Sequence, residues 1–149
     1  MLDKPSIEEV KNKILSLDFD ELTEDEHESL TDFIIKNKEL NKHLEYFLEK
    51  GLDWTTINFI KSLSINNFKA AKRFIEYSNG QILAPEMWYF HPIVVAINND
   101  DIEQIKFLIK HIRNDYLRDI IKPAILTAKK QENEEILKYL YKIKEKVDL

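Results

Sequence analysis

The chain has 149 residues, 44% of them hydrophobic and 33% charged, with no cysteine, 2 glycines, 4 prolines and a net charge of -5. That length suits one domain with a core large enough to need no covalent staple, and the missing cysteines exclude disulfide frameworks, thiol catalysis and cysteine-based zinc sites. Two glycines leave little material for phosphate-cradling loops or tight β-turns.

Helical periodicity starts near the N-terminus. Residues 5–17 place Ile7, Val10, Ile14, Leu15 and Leu17 at helical spacing, with Pro5 near the start, where its fixed φ does no harm. Segment 18–22 breaks the pattern. Thr23 followed by Glu26 has the spacing of a capping box, and Leu30, Phe33 and Ile34 carry that helix to about Asn37. Residues 39–50 predict a helix with Leu40, Leu44, Phe47 and Leu48 on one face, stopped by Gly51 as a left-handed cap. Asp53 is placed to cap a helix whose apolar face is Trp54, Ile57, Ile60 and Leu63. After the turn Asn66-Asn67, a helix over 67–78 turns Phe68, Ala71, Phe74, Ile75 and Tyr77 inward.

Ser78-Asn79-Gly80 ends that helix, and a longer connection passes through Met87, Trp88, Tyr89 and Phe90. His91-Pro92 opens a short helix containing Ile93, Val94, Ala96 and Ile97, closed by Asn98-Asn99-Asp100. The next helix carries Ile102, Ile105, Phe107, Leu108, Ile109 and Ile112. A break near Asn114 precedes a short stretch through Leu117 and Ile121. Pro123 is expected to open a new helix with Ile125, Leu126 and Ala128, and the last helix, 133–146, uses Ile136, Leu137, Leu140 and Ile143. Helices this short are marginal alone and must cover each other's apolar faces. Short connections force consecutive helices antiparallel. The expected architecture is all-α, a single domain over 1–149 built as a stack of antiparallel helical hairpins with little or no sheet. Acidic helices over 1–37 precede repeats over 39–146.

A repeat runs through this pattern. Shifted by 32 residues, Ile93 meets Ile125, Ala96 meets Ala128, Asp101 meets Asn133, Glu103 meets Glu135, Ile105 meets Leu137, and Phe107-Leu108 meets Tyr139-Leu140. An earlier copy aligns Ser64 with Ala96 and, after a loop two residues shorter, Phe68, Phe74 and Ile75 with Ile102, Leu108 and Ile109. A weaker first copy covers about 30–53 and ends Phe47 to Asp53. The pattern resembles the ankyrin-repeat family, whose repeat of about 33 residues is two antiparallel helices and a turn. The resemblance rests on a small inner-helix residue (Ser64, Ala96, Ala128), a polar turn, and the outer-helix runs Glu103 to Leu108 and Glu135 to Leu140. The chain departs from the family in its opener, which survives only as His91-Pro92 and a lone Pro123, and in the turn glycine, replaced by Asn or Asp.

No constellation in the sequence has the form of a catalytic site. His27, His43, His91 and His111 make no ligand pair on one helix. The resemblance implies that His91 is a structural histidine bonding backbone in a turn, and the outer-helix positions of His43 and His111 suggest solvated side chains. Asp18-Phe19-Asp20-Glu21 faintly resembles a calcium loop but lacks its glycine and closing glutamate. No cofactor or metal is expected, and the chain is not expected to be an enzyme. Lys138, Lys142 and Lys146 share a face of the last helix. A polar cap on the open end of a stack accounts for them better than nucleic-acid contact.

Charge is the more informative feature. Residues 1–34 hold eleven acids and three lysines, a net of -8, while the remainder nets +3. Free-standing nucleic-acid binders more often carry a basic bias. An acidic segment suits a basic protein partner, although a face that serves solubility alone carries the same signature. Candidate partner-binding residues are Asp18, Asp20, Glu21, Glu24, Asp25, Glu26 and Glu28, the loop aromatics Trp88 and Tyr89, and the turn acids Asp100 and Asp101. The resemblance implies protein–protein recognition. The short acidic chain is also similar to immunity proteins of polymorphic toxin systems, some of which are ankyrin-like. On that likeness the expected function is to bind a cognate, basic, nuclease-type toxin and block its active site, and the alternative is an ankyrin-type scaffold or host-directed adaptor. Abundant Lys, Asn, Ile and Glu point to an AT-rich, bacterial or viral gene. The expected setting is the reducing cytoplasm, with no membrane contact and a monomer in the absence of its partner.

Overall fold

A computed structural model describes residues 6–52, 56–85 and 91–148, and among these every regular element is helical. Contacts divide the chain into two compact units, Met1–Tyr77 and Ser78–Leu149.

The first unit opens with α1 (Ile7–Leu15), a 3-10 turn Phe19–Glu21 and α2 (Glu24–Lys36). The expected capping box forms: Thr23 Oγ1 accepts from Glu26 N at 3.2 Å, and Glu26 Oε1 accepts from Thr23 N at 3.1 Å. The helix expected over 39–50 is instead a 3-10 segment, Lys38–His43, followed by α3 (Leu44–Glu49). Leu40 and Leu44 keep their apolar positions and are fully buried. Gly51 has φ +112° and ends α3 as expected, with Leu52 N donating to Phe47 O at 3.0 Å. Phe19 Cβ lies 3.6 Å from where a Gly51 Cβ would stand. α4 (Thr56–Ser64) and α5 (Phe68–Tyr77) form a packed hairpin, with α4 also against α2 and α3 against α5.

The buried face of α4 differs from the expected one. Asn58, Phe59, Ser62 and Leu63 are buried, while Ile57 is 62% exposed. Two polar residues lie in the interior, so apolar spacing alone selected the wrong stripe. The same shift corrects the repeat register: Ser64 is exposed and Ser62 is the small buried residue equivalent to Ala96 and Ala128. The turn is not shortened, because the left-handed residue and N-cap are Asn66 and Asn67 in one hairpin and Asp100 and Asp101 in the next. Tyr77, expected inward, stands at the surface, as does Phe33. The Tyr77 hydroxyl donates to Leu48 O at 3.1 Å.

The second unit contains a 3-10 turn Gln81–Leu83, α6 (Pro92–Asn98), α7 (Ile102–His111), α8 (Asn114–Gln131) and α9 (Glu134–Val147). α6 packs on α7, α8 on α9, and α6 on α8. Pro123 does not start a helix; it sits inside α8. Its ring removes one backbone bond, a cost of about 3 kcal/mol in a helix interior. Ile120, Ile121, Ala124, Ile125 and Ala128 are buried on both sides of it, and burial of each large side chain contributes about 1.5–3 kcal/mol, so packing carries the helix through. Asp119, whose carbonyl loses its donor, is on the exposed side.

The repeat period recurs as contact spacing within each unit. Asn67 Nδ2 donates to Ile35 O (2.8 Å), 32 residues away. Lys61 Nζ meets Glu28 Oε1 (2.8 Å), Gln131 Nε2 donates to Asn98 Oδ1 (3.1 Å) and Asn133 Nδ2 to Asp100 Oδ1 (3.3 Å), each pair 33 apart. Polar turn residues therefore tie one helix pair to the next. Among the described residues no helix is long and apolar enough to cross a membrane.

Candidate partner-binding surface

The acidic segment is built by local bonding. Asp18 caps the turn Phe19–Glu21, its Oδ1 accepting from Asp20 N at 3.1 Å. Phe19 is buried and anchors the turn in the core. His27, also buried, holds the turn from α2, its Nε2 donating to Phe19 O at 2.9 Å. Glu24, Asp25 and Glu26 form the first turn of α2, where carboxylates stabilise the positive end of the helix dipole.

All seven carboxylates from Asp18 to Glu28 are exposed, and no lysine or arginine interrupts them. Three are engaged: Asp18 and Glu26 in caps, and Glu28 with Lys61. The Thr23 backbone N–H, together with the Thr23 side chain, holds the Glu26 carboxyl below the usual carboxylate range. These groups are solvated acceptors, without the burial that tunes a carboxyl for acid catalysis. Among the described residues no three His, Asp or Glu side chains converge as a metal ion would require.

Sequence reasoning missed the apolar part of this surface. Leu17, Leu22 and Leu30 line a shallow depression of about 380 Å³ with Asp25, Glu26 and Ser29. Leu17 is 43% exposed, and Phe33, one helical step beyond Leu30, is 46% exposed. The signal was present as leucines bracketing the acids at 17, 22 and 30, but helical spacing assigned Leu17 and Leu30 to the core.

The other candidates belong to the second unit. Asp100 and Asp101 form the α6–α7 turn of the second unit. Asp101 Oδ1 accepts from Gln104 N at 3.1 Å as an N-cap, and Asp100 has φ 53° and accepts from Asn133. Both have structural work in that turn. Trp88 and Tyr89, with Trp54 and Asp53, lie outside the described residues.

His91 has the structural role expected of it. Its ring is fully buried, Nδ1 accepts from Ile93 N at 3.1 Å and Nε2 donates to Leu83 O at 2.9 Å. Both nitrogens are committed to a neutral ring, and burial pushes its pKa down. His27 and His91 thus each pin a 3-10 turn eight residues upstream. His43 and His111, expected in solvent, are half-buried against Phe47 and Phe107, at ring separations of 6.5 and 4.5 Å. Desolvation first, then the charges of Lys11 and Lys42, lower the pKa of His43. Comparison of the chain with protein-family models, curated proteins and solved structures yields no match.

Proposed function

We propose that the chain is a protein-binding module of ankyrin-like helical hairpins, of immunity type, which binds a basic, nuclease-type toxin and covers its active site. The observation that carries this reading is the exposed run Asp18–Glu28: seven carboxylates with no intervening Lys or Arg, beside a depression floored by leucines. Carboxylates speed encounter with a positive cleft and take the place of phosphates there, while exposed apolar residues at the centre supply the burial that slows dissociation. Polar ties between residues 32 or 33 apart support the ankyrin-like part of the reading. The chain acts without a cofactor, as a monomer in the cytoplasm until it meets its partner, a setting its cysteine-free composition suits.

The test begins with a partner co-purified with the chain and continues with association kinetics. The triple variant Glu21→Lys, Glu24→Lys, Asp25→Lys leaves the Glu26 capping box intact. Association at low salt is expected to slow by about ten-fold or more, and the difference to shrink as salt screens it. Unchanged association rates reject the acidic surface. Stoichiometric inhibition of the partner's activity supports the immunity reading; binding without inhibition leaves a scaffold or adaptor.

A further inference from the structure

The outer side of α2 is not purely polar. His27, Thr31, Ile34 and Ile35 form the buried side of the helix. Away from them, Glu26, Leu30 and Phe33 follow one another at helical spacing, and the stripe they make runs about two turns, roughly 10 Å. Leu17 and Leu22 widen it at the Glu26 end into the depression of about 380 Å³. α2 packs on α4 and on the 3-10 segment Lys38–His43, and Leu17 and Phe33 stay exposed. In a fold whose helices cover each other's apolar faces, an open stripe of this kind is a place for another helix.

Backbone chemistry and charge select the occupant. Every regular element among the described residues is helical, so no sheet edge is offered to an extended segment. A helix brings its own backbone bonds already made, and its side chains one and two turns apart match a stripe of this length. Asp25 and Glu26 line the depression, while Asp18, Asp20 and Glu21 lie between Leu17 and Leu22 in the chain. Asp20, Glu21, Glu24 and Asp25 carry no ion pair among the described residues. At the Phe33 end, Asp32 is already paired with Lys36 at 2.8 Å. The uncompensated negative field therefore lies around the leucines. Its complement is a helix with apolar side chains on one side and lysines or arginines flanking them.

We infer that this face of α2 docks a basic amphipathic helix of the partner, its apolar side chains over Leu17, Leu30 and Phe33 and its cations toward the Asp18–Glu26 carboxylates. The inference rests on the acidic surface being the partner site, and names the element that meets it. A synthetic peptide of about 14 leucines and lysines, with the leucines on one helical face, serves as the probe. Its control has the same composition with the leucines scattered around the helix. In fluorescence anisotropy the amphipathic peptide is expected to bind the full chain saturably, with Kd of about 100 µM or tighter, and the scattered one about ten-fold more weakly. Leu17→Ser with Phe33→Ser, both exposed side chains, is expected to weaken the amphipathic peptide by about ten-fold, at high salt as at low. Leu126→Ser with Tyr141→Ser, exposed apolar residues of the second unit, leaves its binding unchanged. No saturable binding, equal binding of the two peptides, or equal weakening by the two variant pairs overturns the inference. The co-purified partner separates this inference from the reading beneath it. Leu17→Ser with Phe33→Ser is expected to speed dissociation of that partner and leave association unchanged. Unaltered dissociation, with association still slowed by the acid-to-lysine triple variant, keeps the acidic surface and discards the helix.

Discussion

The first unit buries four phenylalanines, Phe19, Phe47, Phe59 and Phe74, together with His27, Thr31, Asn41, Asn58, Ser62 and Asn67. The second has no buried phenylalanine among its described residues. Its core is Ile, Leu and Ala, with Ser78, His91 and Gln104 as its buried polar side chains. Charge divides in the same way: sixteen acids face eleven bases in Met1–Tyr77, whereas Ser78–Leu149 holds eleven of each. One architecture is thus stabilised by two means. Aliphatic residues at helical spacing hold the second unit, with caps closing its turns. In the first, large rings fill the core, His27 holds the Phe19 carbonyl, Asn67 ties Asn41 to Ile35 O, and the surface carries a net negative charge.

That contrast can be broken by experiment. The largest effect is expected from the rings: Phe59→Ala, fully buried, should cost about 3–5 kcal/mol in urea unfolding. A loss below about 1 kcal/mol shows that the aromatic core is not the main support of the first unit. Turn asparagines come next. Asn67→Ala removes an N-cap, the side-chain bond to Ile35 O and the acceptor of the Asn41 Nδ2 amide, for an expected loss of about 2–4 kcal/mol. Asn133→Ala removes an N-cap and one exposed side-chain bond, for about 1 kcal/mol. Equal losses at the two sites erase the distinction between the units.

Acid should act more gently. The folded-state pKa of His91 lies below its unfolded value because burial disfavours the charged ring. Its contribution is therefore present above about pH 6.5 and lost as pH falls below that value. His43 shifts the same way. Thermal melts from pH 7.5 to 5.5 should show falling stability, with a smaller slope in His91→Gln. A slope unchanged by that substitution assigns the pH dependence elsewhere. The smallest effect is a gain. Glu132 holds φ 57° without the local tolerance of asparagine, so Glu132→Gly should stabilise by about 0.5–1 kcal/mol, while Asn66→Gly should change little.

The second unit was almost fully legible in the sequence. The alignment of Ala96 with Ala128 and of Asp101 with Asn133 is the alignment of buried small residues and N-caps in three dimensions. Pro123 misled because its local penalty is visible in sequence, while the burial that overrides it is not. Legibility failed in the first unit where polar residues are inside. Asn58 and Ser62 read as surface, so α4 was rotated and Ile57 placed inward; Ser64 took the role of Ser62 for the same reason. The acids of the candidate surface were visible as a charge run, and Thr23 with Glu26 announced the helix that presents them. Leu17 and Leu30 were not, because an apolar residue at helical spacing is assigned to the core unless its neighbours in space are known, and Leu22 falls in the break over 18–22.

Hydrogen exchange on the chain with and without its captured partner tests the acidic surface most directly. Binding is expected to slow exchange across residues 17–33, spanning the capped turn and α2, with the leucines protected together with the acids. Protection confined to Ser78–Leu149, with 17–33 exchanging as in the free chain, contradicts it.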